Sequence, residues 1–405
     1  MHGAESTTTG SFLQRVFGTG AAGCSAGSPV MASLLVVSAS TARRVARLWI
    51  GHSARAVLVL VAGLSCSDPV APECTERVEG RCWTSLGPDG QWVTAVAETP
   101  WGLFAGTHDD GVFWLDPATS RWRPLGLDHA IVSSVVFVPS DPPRLLVGVI
   151  PYSDEQTPAA LFSSADRGLT WQAADGGLAA RNGNRAWAWS ILADASNPDR
   201  LLMGTSYPIL RSDDGGRTWL YVWLGEGSAG GGVNMIAQSP AAPGRVWAGG
   251  ETALLTGFVL RSEDFGTTWS WSDPTPRYDN IVWAVLPDPG TPQRVFIGVI
   301  GGVMRSQDGG ASWASSLARL PGQVHALVED QGIIYALANE NLRPPPSGTG
   351  AADTDLGLYR TTDAGATWDT LPVPTGVRGA WAGSVDGRGR LLIGTGGSGV
   401  WRVTP

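Results

Sequence analysis

The sequence of 405 residues contains no lysine, and all 28 of its basic residues are arginine. With 54 glycines and 28 prolines, this usage is typical of a high-GC bacterial genome. The formal net charge is −8, and beyond Cys66 the chain has 23 arginines against 35 acidic residues. Because phosphate binding needs a basic surface, this balance argues against a nucleic-acid partner.

The sequence also lacks an apolar run long enough to cross a membrane as a helix. The run Ala56–Leu64 has nine residues, whereas a membrane-spanning helix needs about 20. Arginines precede the run and Ser65-Cys66 follows it, which is the shape of a signal peptide. The end of the run resembles a bacterial lipoprotein signal, which implies lipidation of Cys66 and a membrane contact through that lipid. The alternative is a plain secretory signal. We therefore interpret residues 1–65 as a disordered start plus a signal peptide, and residues 66–80 as a tether.

Cysteine is scarce, with four residues in the whole chain. If Cys24 is removed with the leader and Cys66 is acylated, Cys74 and Cys82 remain. Export to an oxidising compartment would allow a disulfide between these two, and the alternative is a pair of unrelated thiols. No metal or other cofactor is needed to explain them.

One eight-residue pattern, Ser/Thr-x-Asp-x-Gly-x-Thr/Ser-Trp, occurs five times. Its copies are Ser164–Trp171, Ser212–Trp219, Ser262–Trp269, Ser306–Trp313 and Thr361–Trp368. Aspartate can accept backbone hydrogen bonds, glycine allows positive φ, and tryptophan starts a strand with a large buried surface. The pattern therefore predicts a tight turn between two strands, with structural roles for Asp166, Asp214, Asp264, Asp308 and Asp363.

The spacing of the turns predicts the fold. Successive copies begin 48, 50, 44 and 55 residues apart, which is the length of one four-stranded propeller blade. Short apolar strands before each turn recur seven times. We therefore predict an all-β, seven-bladed propeller over residues 81–405. The tryptophan series starts at Trp83, so the strand there is expected to complete the last blade and close the ring.

These repeats resemble the Asp-box, or bacterial neuraminidase, repeats of sialidases, xyloglucanase-type glycoside hydrolases, the sortilin propeller and photosystem II assembly factors. The resemblance covers residues 82–405 and implies the fold, but enzymes and binding proteins share it. Ala318–Pro321 departs from the sialidase Phe/Tyr-Arg-Ile/Leu-Pro motif because it lacks the aromatic residue. Xyloglucanase-type enzymes pair two propellers, with one catalytic aspartate on each, whereas this sequence predicts one propeller.

The central face carries the candidate ligand-binding residues. Alignment of the innermost strands places Trp189, Trp283, Trp381 and His325 at one equivalent position, with Thr94, Ser134 and Met235 there in the other units. The loops of this face add Arg185, Tyr278 and Glu340. The aromatic rings either stack on a ligand or pack between blades.

The sequence favours an exported, lipid-anchored, monomeric propeller that binds a glycan or a protein, or serves as an assembly scaffold. The alternative is a glycan-active enzyme, such as a glycoside hydrolase, that uses the central face. No pattern in the sequence identifies a catalytic pair of carboxylates.

Overall fold

The computed structural model of the chain describes residues 74–128, 130–151, 159–178, 187–206, 208–224, 231–274, 281–339 and 355–404. In these ranges the regular structure is built from β-strands, and no helix there is long and apolar enough to cross a membrane. The strands of successive repeat units surround a central channel. The prediction of an all-β propeller is therefore confirmed.

The strands begin and end as follows in chain order: β1 (Glu76–Val78), β2 (Arg81–Gly87), β3 (Val93–Thr99), β4 (Gly102–Thr107), β5 (Val112–Asp116), β6 (Arg121–Pro124), β7 (Ala130–Val138), β8 (Arg144–Pro151), β9 (Leu161–Ser164), β10 (Gln172–Ala173), β11 (Ala188–Asp194), β12 (Asn197–Thr205), β13 (Ile209–Ser212), β14 (Leu220–Trp223), β15 (Gly231–Gln238), β16 (Val246–Thr252), β17 (Gly257–Ser262), β18 (Ser270–Ser272), β19 (Ala284–Pro287), β20 (Val295–Ser306), β21 (Ala314–Asp330), β22 (Ile333–Asn339), β23 (Leu356–Thr361), β24 (Asp369–Leu371), β25 (Ala380–Val385), β26 (Leu391–Thr395) and β27 (Val400–Thr404).

The described strands form six hydrogen-bonded sheets, so the prediction of seven separate blades is wrong. Four sheets have four strands each, one has five, and the sheet β19–β24 has six. The fifth and sixth repeat units share this last sheet because β21 is one long strand. It pairs with β20 from Arg305 opposite Ala314 to Ile300 opposite Gln323, and then pairs with β22. A single strand thus serves as the outer strand of one unit and the innermost strand of the next.

The ring is closed by pairing between the two ends of the described chain. β2 pairs with β27, with Trp83 opposite Val403, which is the pairing expected from the sequence. Trp83 has no exposed surface and packs in a core cluster with Leu337 and Ile393. Since this tryptophan joins residues from both ends of the propeller, β2 is an integral part of the closing sheet.

Glycines on the second strand of most units let neighbouring sheets approach closely. The six glycines at this position are Gly106, Gly148, Gly204, Gly249, Gly298 and Gly394. A Cβ on Gly249 would lie 2.5 Å from Val282 Cγ1 of the next unit, and one on Gly394 would lie 2.8 Å from Val93 Cγ1. Because such contacts are too short, the innermost strand of each unit packs against the bare backbone of its predecessor.

The sixth unit reverses this arrangement. Leu337 occupies the position that glycine holds elsewhere, and the next unit has Gly383 nearby. A Cβ on Gly383 would lie 3.2 Å from Leu337 Cδ2 and 2.6 Å from Val328 Cγ2. The glycine here lies on the innermost strand of the seventh unit instead of on the second strand of the sixth. The close contact between these two units is therefore kept.

Candidate functional site

A β-bulge on the innermost strand of six units positions the candidate site. In β3, β7, β11, β15, β21 and β25 the pairing skips one residue, and that residue lies at the wall of the central channel. The fifth unit has the same geometry, since Trp283 N donates to Gly298 O at 2.9 Å while Ala284 is the ladder partner of Gly298. Bulges re-aim a side chain out of the sheet. We call these seven positions the rim: Thr94, Ser133, Trp189, Asn234, Trp283, His325 and Trp381.

The rim includes the four residues that the sequence alignment placed together, but two other members were misassigned. Ser133 and Asn234 occupy the bulges, whereas Ser134 and Met235 were expected there. The error is one residue in each case. An alignment by strand pattern cannot see a bulge, because a bulge adds a residue without changing the apolar pattern beyond it.

Two further rings of side chains lie beneath the rim. The second ring has small side chains except for Met235, and consists of Ala95, Ser134, Ser190, Met235, Ala284, Ala326 and Ala382. The third ring is aliphatic and consists of Val96, Val135, Ile191, Ile236, Val285, Leu327 and Gly383. Together the three rings line a cavity of about 600 Å³, a volume within the range of small-molecule sites.

A continuous arc of aromatic rings covers one side of the channel mouth. Trp92 stacks on His108 with ring centroids 4.1 Å apart and an interplanar angle of 1°. Trp381 follows at 5.0 Å from Trp92, His325 at 4.5 Å from Trp381, and Trp283 at 5.1 Å from His325. We call these five residues the aromatic arc. The four ring contacts follow one another along the arc, so each ring is positioned by packing against its neighbours.

Trp92 was not recognised from the sequence. It precedes the rim residue Thr94 by two positions, in a unit whose rim residue is small. Its indole is 8% exposed and lies against His108, a residue that follows the second strand of the same unit. One signal could have identified Trp92. It is a tryptophan directly before an innermost strand, in a unit whose bulge residue, Thr94, is not aromatic.

The polar members of the rim tie each unit to the next one. Thr94 Oγ1 donates to Val132 O at 2.6 Å, and Asn234 Nδ2 donates to Val282 O at 3.2 Å. Ser133 Oγ donates in the same way to Ala188 O. Each acceptor is the backbone carbonyl just before the bulge of the following unit. These side chains therefore have a structural role that the aromatic members do not share.

Within the described residues, the indole N–H groups of the rim and of the adjacent Trp92 have no hydrogen-bond acceptor. Nε1 is buried and unpartnered in Trp92, Trp189, Trp283 and Trp381 within the described part of the chain, and so is Ser134 Oγ. An unsatisfied buried polar group costs free energy that packing alone must offset. Five such atoms line this one cavity, and the others are spread over the rest of the described residues.

Among the described residues that line the cavity, the titratable side chains are His108 and His325. The other lining residues within the described ranges include no aspartate, glutamate or arginine. Burial lowers the pKa of His325 to about 3, so this ring is neutral. Gln323 Nε2 lies 2.6 Å from His325 Nε2, and an amide N–H can donate only to an unprotonated ring nitrogen. The surroundings thus favour an uncharged ligand.

Two carboxyl groups lie close to the mouth: Asp109, whose Oδ1 is 2.9 Å from His108 Nδ1, and Glu251. Glu251 is near the end of β16, opposite Gly232, and burial raises its pKa. Its Oε2 is buried and has no hydrogen-bond partner among the residues that the structure describes. A Cβ placed on Gly232 would lie 3.4 Å from Asn234 Oδ1 and 3.8 Å from Glu251 Oε1, so both side chains flank this glycine. Glu251 is therefore a neighbour of the rim, and its pKa lies above the usual value of a glutamate.

The five repeated turns lie between third and fourth strands, on the outer part of the propeller. In the turn at Ser212, Thr218 donates to Asp214 through its backbone N at 2.9 Å and its Oγ1 at 2.6 Å. Ser212 Oγ donates to Asp214 Oδ1 and accepts from Gly216 N, both at 2.8 Å. Equivalent bonds occur in all five turns. None of the five aspartates lines the cavity.

Of the remaining residues predicted from the sequence, some lie within the described ranges and others do not. Cys74 and Cys82 form a disulfide that joins β2 to the segment before β1. Arg185, Tyr278, Glu340 and Cys66 lie outside the described residues. No group of three or more potential metal ligands occurs among the described residues.

Two xyloglucanases are among the known proteins that are similar in sequence to this chain. No family model matches the chain. A xyloglucanase from Acetivibrio thermocellus is 26% identical over 260 residues, which are 57% of this chain and 25% of the relative. An oligoxyloglucan-reducing end-specific xyloglucanase from Emericella nidulans is 26% identical over 200 residues, 44% of this chain and 24% of the relative. The match to these curated relatives spans about a quarter of their length.

Two solved structures share the fold. The GH74 xyloglucanase from Xanthomonas campestris superposes with a TM-score of 0.58 and 18% identity, over 80% of this chain and 53% of that one. YCF48 from Cyanidioschyzon merolae superposes with a TM-score of 0.56 and 15% identity, over 80% and 98%. These likenesses establish a shared propeller fold.

Proposed function

We propose that the protein binds neutral, glucan-type oligosaccharides at the rim of its central channel. The observation that carries the proposal is the aromatic arc, which is a continuous aromatic wall beside a cavity with little charge. Pyranose rings present apolar C–H faces that pack on aromatic surfaces, while their hydroxyls need polar partners nearby. Asn234, Gln323 and Ser134 are polar groups in the same wall.

The names of the relatives suggest which oligosaccharide to test. The sequence matches are to xyloglucanases, so xyloglucan fragments and unsubstituted cello-oligosaccharides are the first choices. A protein ligand or an assembly role, which the sequence also allowed, would favour a broad exposed face. The arc instead borders the mouth of a concave channel of about 600 Å³, and this geometry favours a small ligand segment.

The experiment is a calorimetric titration of the folded propeller with xyloglucan oligosaccharides and cellotetraose. Trp283→Ala should weaken binding about 5- to 150-fold, because truncating an aromatic anchor usually costs about 1–3 kcal/mol. The matched control is Trp271→Ala, since Trp271 is a partly exposed tryptophan on β18 that stacks on Phe258 outside the channel. This variant should bind as the unchanged protein does.

Two results would count against the proposal. One is oligosaccharide binding that Trp283→Ala leaves unchanged in a folded protein. The other is an absence of binding to every neutral glucan tested. A large loss of stability in Trp283→Ala with full ligand capture would show that the ring only packs between units.

Glycoside hydrolysis is a second candidate, and Glu251 is the observation that favours it. A glycosidase needs a carboxyl group with a raised pKa as its acid and a second carboxyl group about 5–10 Å away. Glu251 fits the first role, since its pKa is raised and it lies beside the rim. If the protein hydrolyses xyloglucan, Glu251→Gln should stop the release of reducing ends but retain binding. Full hydrolysis by this variant would remove Glu251 from the mechanism.

We also propose that the protein works outside the cytoplasm as an exported monomer, attached to a membrane by a lipid on Cys66. The signal-like residues 43–66 support export, and the Cys74–Cys82 disulfide fits an oxidising compartment. Metabolic labelling with a fatty acid, compared between the unchanged chain and Cys66→Ser, would test the lipid.

A further inference from the structure

The channel beneath the rim has a chemistry that a sugar does not need. The second ring has small side chains except for Met235, and the third is aliphatic in six of its seven members. A bare oligosaccharide end inserted to this depth would leave its hydroxyls against the partly exposed side chains of Val96, Val135 and Leu327, which is unfavourable without hydrogen-bond partners. The sugar-binding function proposed above therefore accounts for the rim and leaves the deeper cavity unexplained.

The deeper cavity has enough room and surface for an apolar group. Three residues of each innermost strand line it, which at about 3.3 Å per residue gives a depth of roughly 7 Å from rim to third ring. Met235 is 37% exposed even though it belongs to the second ring. Its Sδ lies 3.9 Å from Ser190 Oγ on the neighbouring innermost strand. An exposed methionine at this position presents a flexible, apolar side chain to whatever enters.

We infer that the ligand is an amphipathic glycoside, whose sugar lies against the aromatic arc and whose apolar aglycone fills the channel below the rim. This inference rests on the proposed function and narrows its ligand class from neutral oligosaccharides to glycosides with an alkyl or aryl group. The transition from aromatic to aliphatic lining along one short channel matches a molecule with one hydroxylated end and one apolar end. Each methylene that leaves water for such a wall should raise affinity about fourfold.

The experiment compares three probes by calorimetry at concentrations where no micelles form: n-octyl β-D-glucoside, phenyl β-D-glucoside and methyl β-D-glucoside. The sugar is the same in all three, so the comparison isolates the aglycone. We expect the octyl or phenyl glucoside to bind at least tenfold more tightly than the methyl glucoside. The stronger of the two identifies the kind of apolar group. Equal affinity for the three would overturn the inference.

Met235→Trp provides the variant that fills the channel, and Met235→Leu is its control of similar size. Met235→Trp should remove most of the advantage of the octyl or phenyl glucoside while cellotetraose binding changes less than threefold. Met235→Leu should keep the advantage. If Met235→Trp does not fold, Ala326→Leu narrows the second ring from another unit and is expected to act in the same way.

The outcomes separate this inference from the proposed function. Cellotetraose binding that depends on Trp283, together with equal affinity for the three glucosides, would contradict only the amphipathic ligand. Absence of all glycan binding would contradict the proposed function and this inference with it. An aglycone advantage that both Met235→Trp and Ala326→Leu retain in folded protein would place the apolar group outside the channel and overturn the inference.

Discussion

The tryptophans of the outer turns and those of the rim belong to the same repeats but differ in their hydrogen bonding. In five units the turn or outer-strand tryptophan donates its N–H to an acceptor in the preceding unit. These bonds are Trp122 to Leu86 O, Trp171 to Leu125 O, Trp219 to Ala174 O, Trp313 to Ser272 Oγ and Trp368 to Ser316 Oγ. Trp83 and Trp269 are the exceptions in this outer series. Within the described residues, none of the three indole N–H groups of the rim is bonded, and neither is that of Trp92 beside the rim.

The difference shows how a repeat can carry two roles. The outer tryptophans bury their rings, and most of them also bond to the neighbouring unit, so the fold alone accounts for them. The rim tryptophans occupy bulges and leave polar atoms unsatisfied, and stability alone does not account for that arrangement. Local departures of this kind are expected at functional sites. The comparison therefore assigns architecture to the outer ring and ligand binding to the rim.

The largest effect should come from removing the closing strand, which belongs to the outer architecture. A chain that begins at Asp89 lacks β2 and the fully buried Trp83, whereas a chain that begins at Arg81 keeps both and loses only β1 and the disulfide. The first should show no cooperative thermal transition because the last sheet loses a strand. The second should melt cooperatively, with a lower Tm than the longer chain.

The disulfide needs its own control in this comparison. Cys82→Ser in the full-length chain removes the covalent link but keeps every strand, and it should resemble the chain that begins at Arg81. Equal melting temperatures for the chains that begin at Arg81 and Asp89 would show that β2 does not close the ring.

A smaller effect should separate the two regions by pH. The pKa of Asp166, Asp214 and Asp308 is lowered to about 2. The main cause is a side-chain hydrogen bond, from Thr170, Thr218 and Ser312 respectively. Their unfolded value is about 3.9. A carboxyl group with a lowered pKa stabilises the fold above its unfolded pKa, so the contribution of the turns is lost only as the pH falls from about 4 towards 2.

His325 acts in a different pH window. Its pKa is about 3 in the folded protein and about 6.5 when unfolded. Below pH 6.5 the unfolded chain therefore takes up a proton that the folded protein does not, and stability falls by up to about 1.4 kcal/mol for each pH unit. Urea unfolding at pH 7 and pH 5 should show this loss in the unchanged protein and not in His325→Gln. Both proteins keep Glu98 and Glu251, so the difference isolates His325. An identical pH dependence would mean that the ring is not held neutral.

The sequence predicts the strands, the turns and the partner of β2 because these depend on short, repeated patterns. Glycine, aspartate and tryptophan at fixed spacing define a turn regardless of the rest of the chain. It also identifies Trp189, Trp283, His325 and Trp381 as a set, since the apolar pattern aligns their strands. Part of the candidate site could therefore be predicted from the sequence alone.

The features that the sequence does not predict depend on hydrogen-bond register and contacts between units. The bulges at Ser133 and Asn234 are decided by pairing with a second strand, and the shared sheet depends on β21 continuing past Ala318. Trp92 joins the aromatic arc through His108 and Trp381, which belong to other strands and loops. None of these arrangements leaves a periodic signal in the amino-acid sequence.

The central claim is that the ligand binds against the rim tryptophans, whose indole N–H groups have no acceptor within the described residues. A crystal structure of the complex tests this claim most directly. Crystals should be grown with whichever glucan oligosaccharide or glucoside binds in solution. The account predicts a sugar ring stacked within about 4 Å of Trp283 or Trp381 at the channel mouth. Ligand density confined to the outer strands, with an empty channel and full binding in solution, would contradict it.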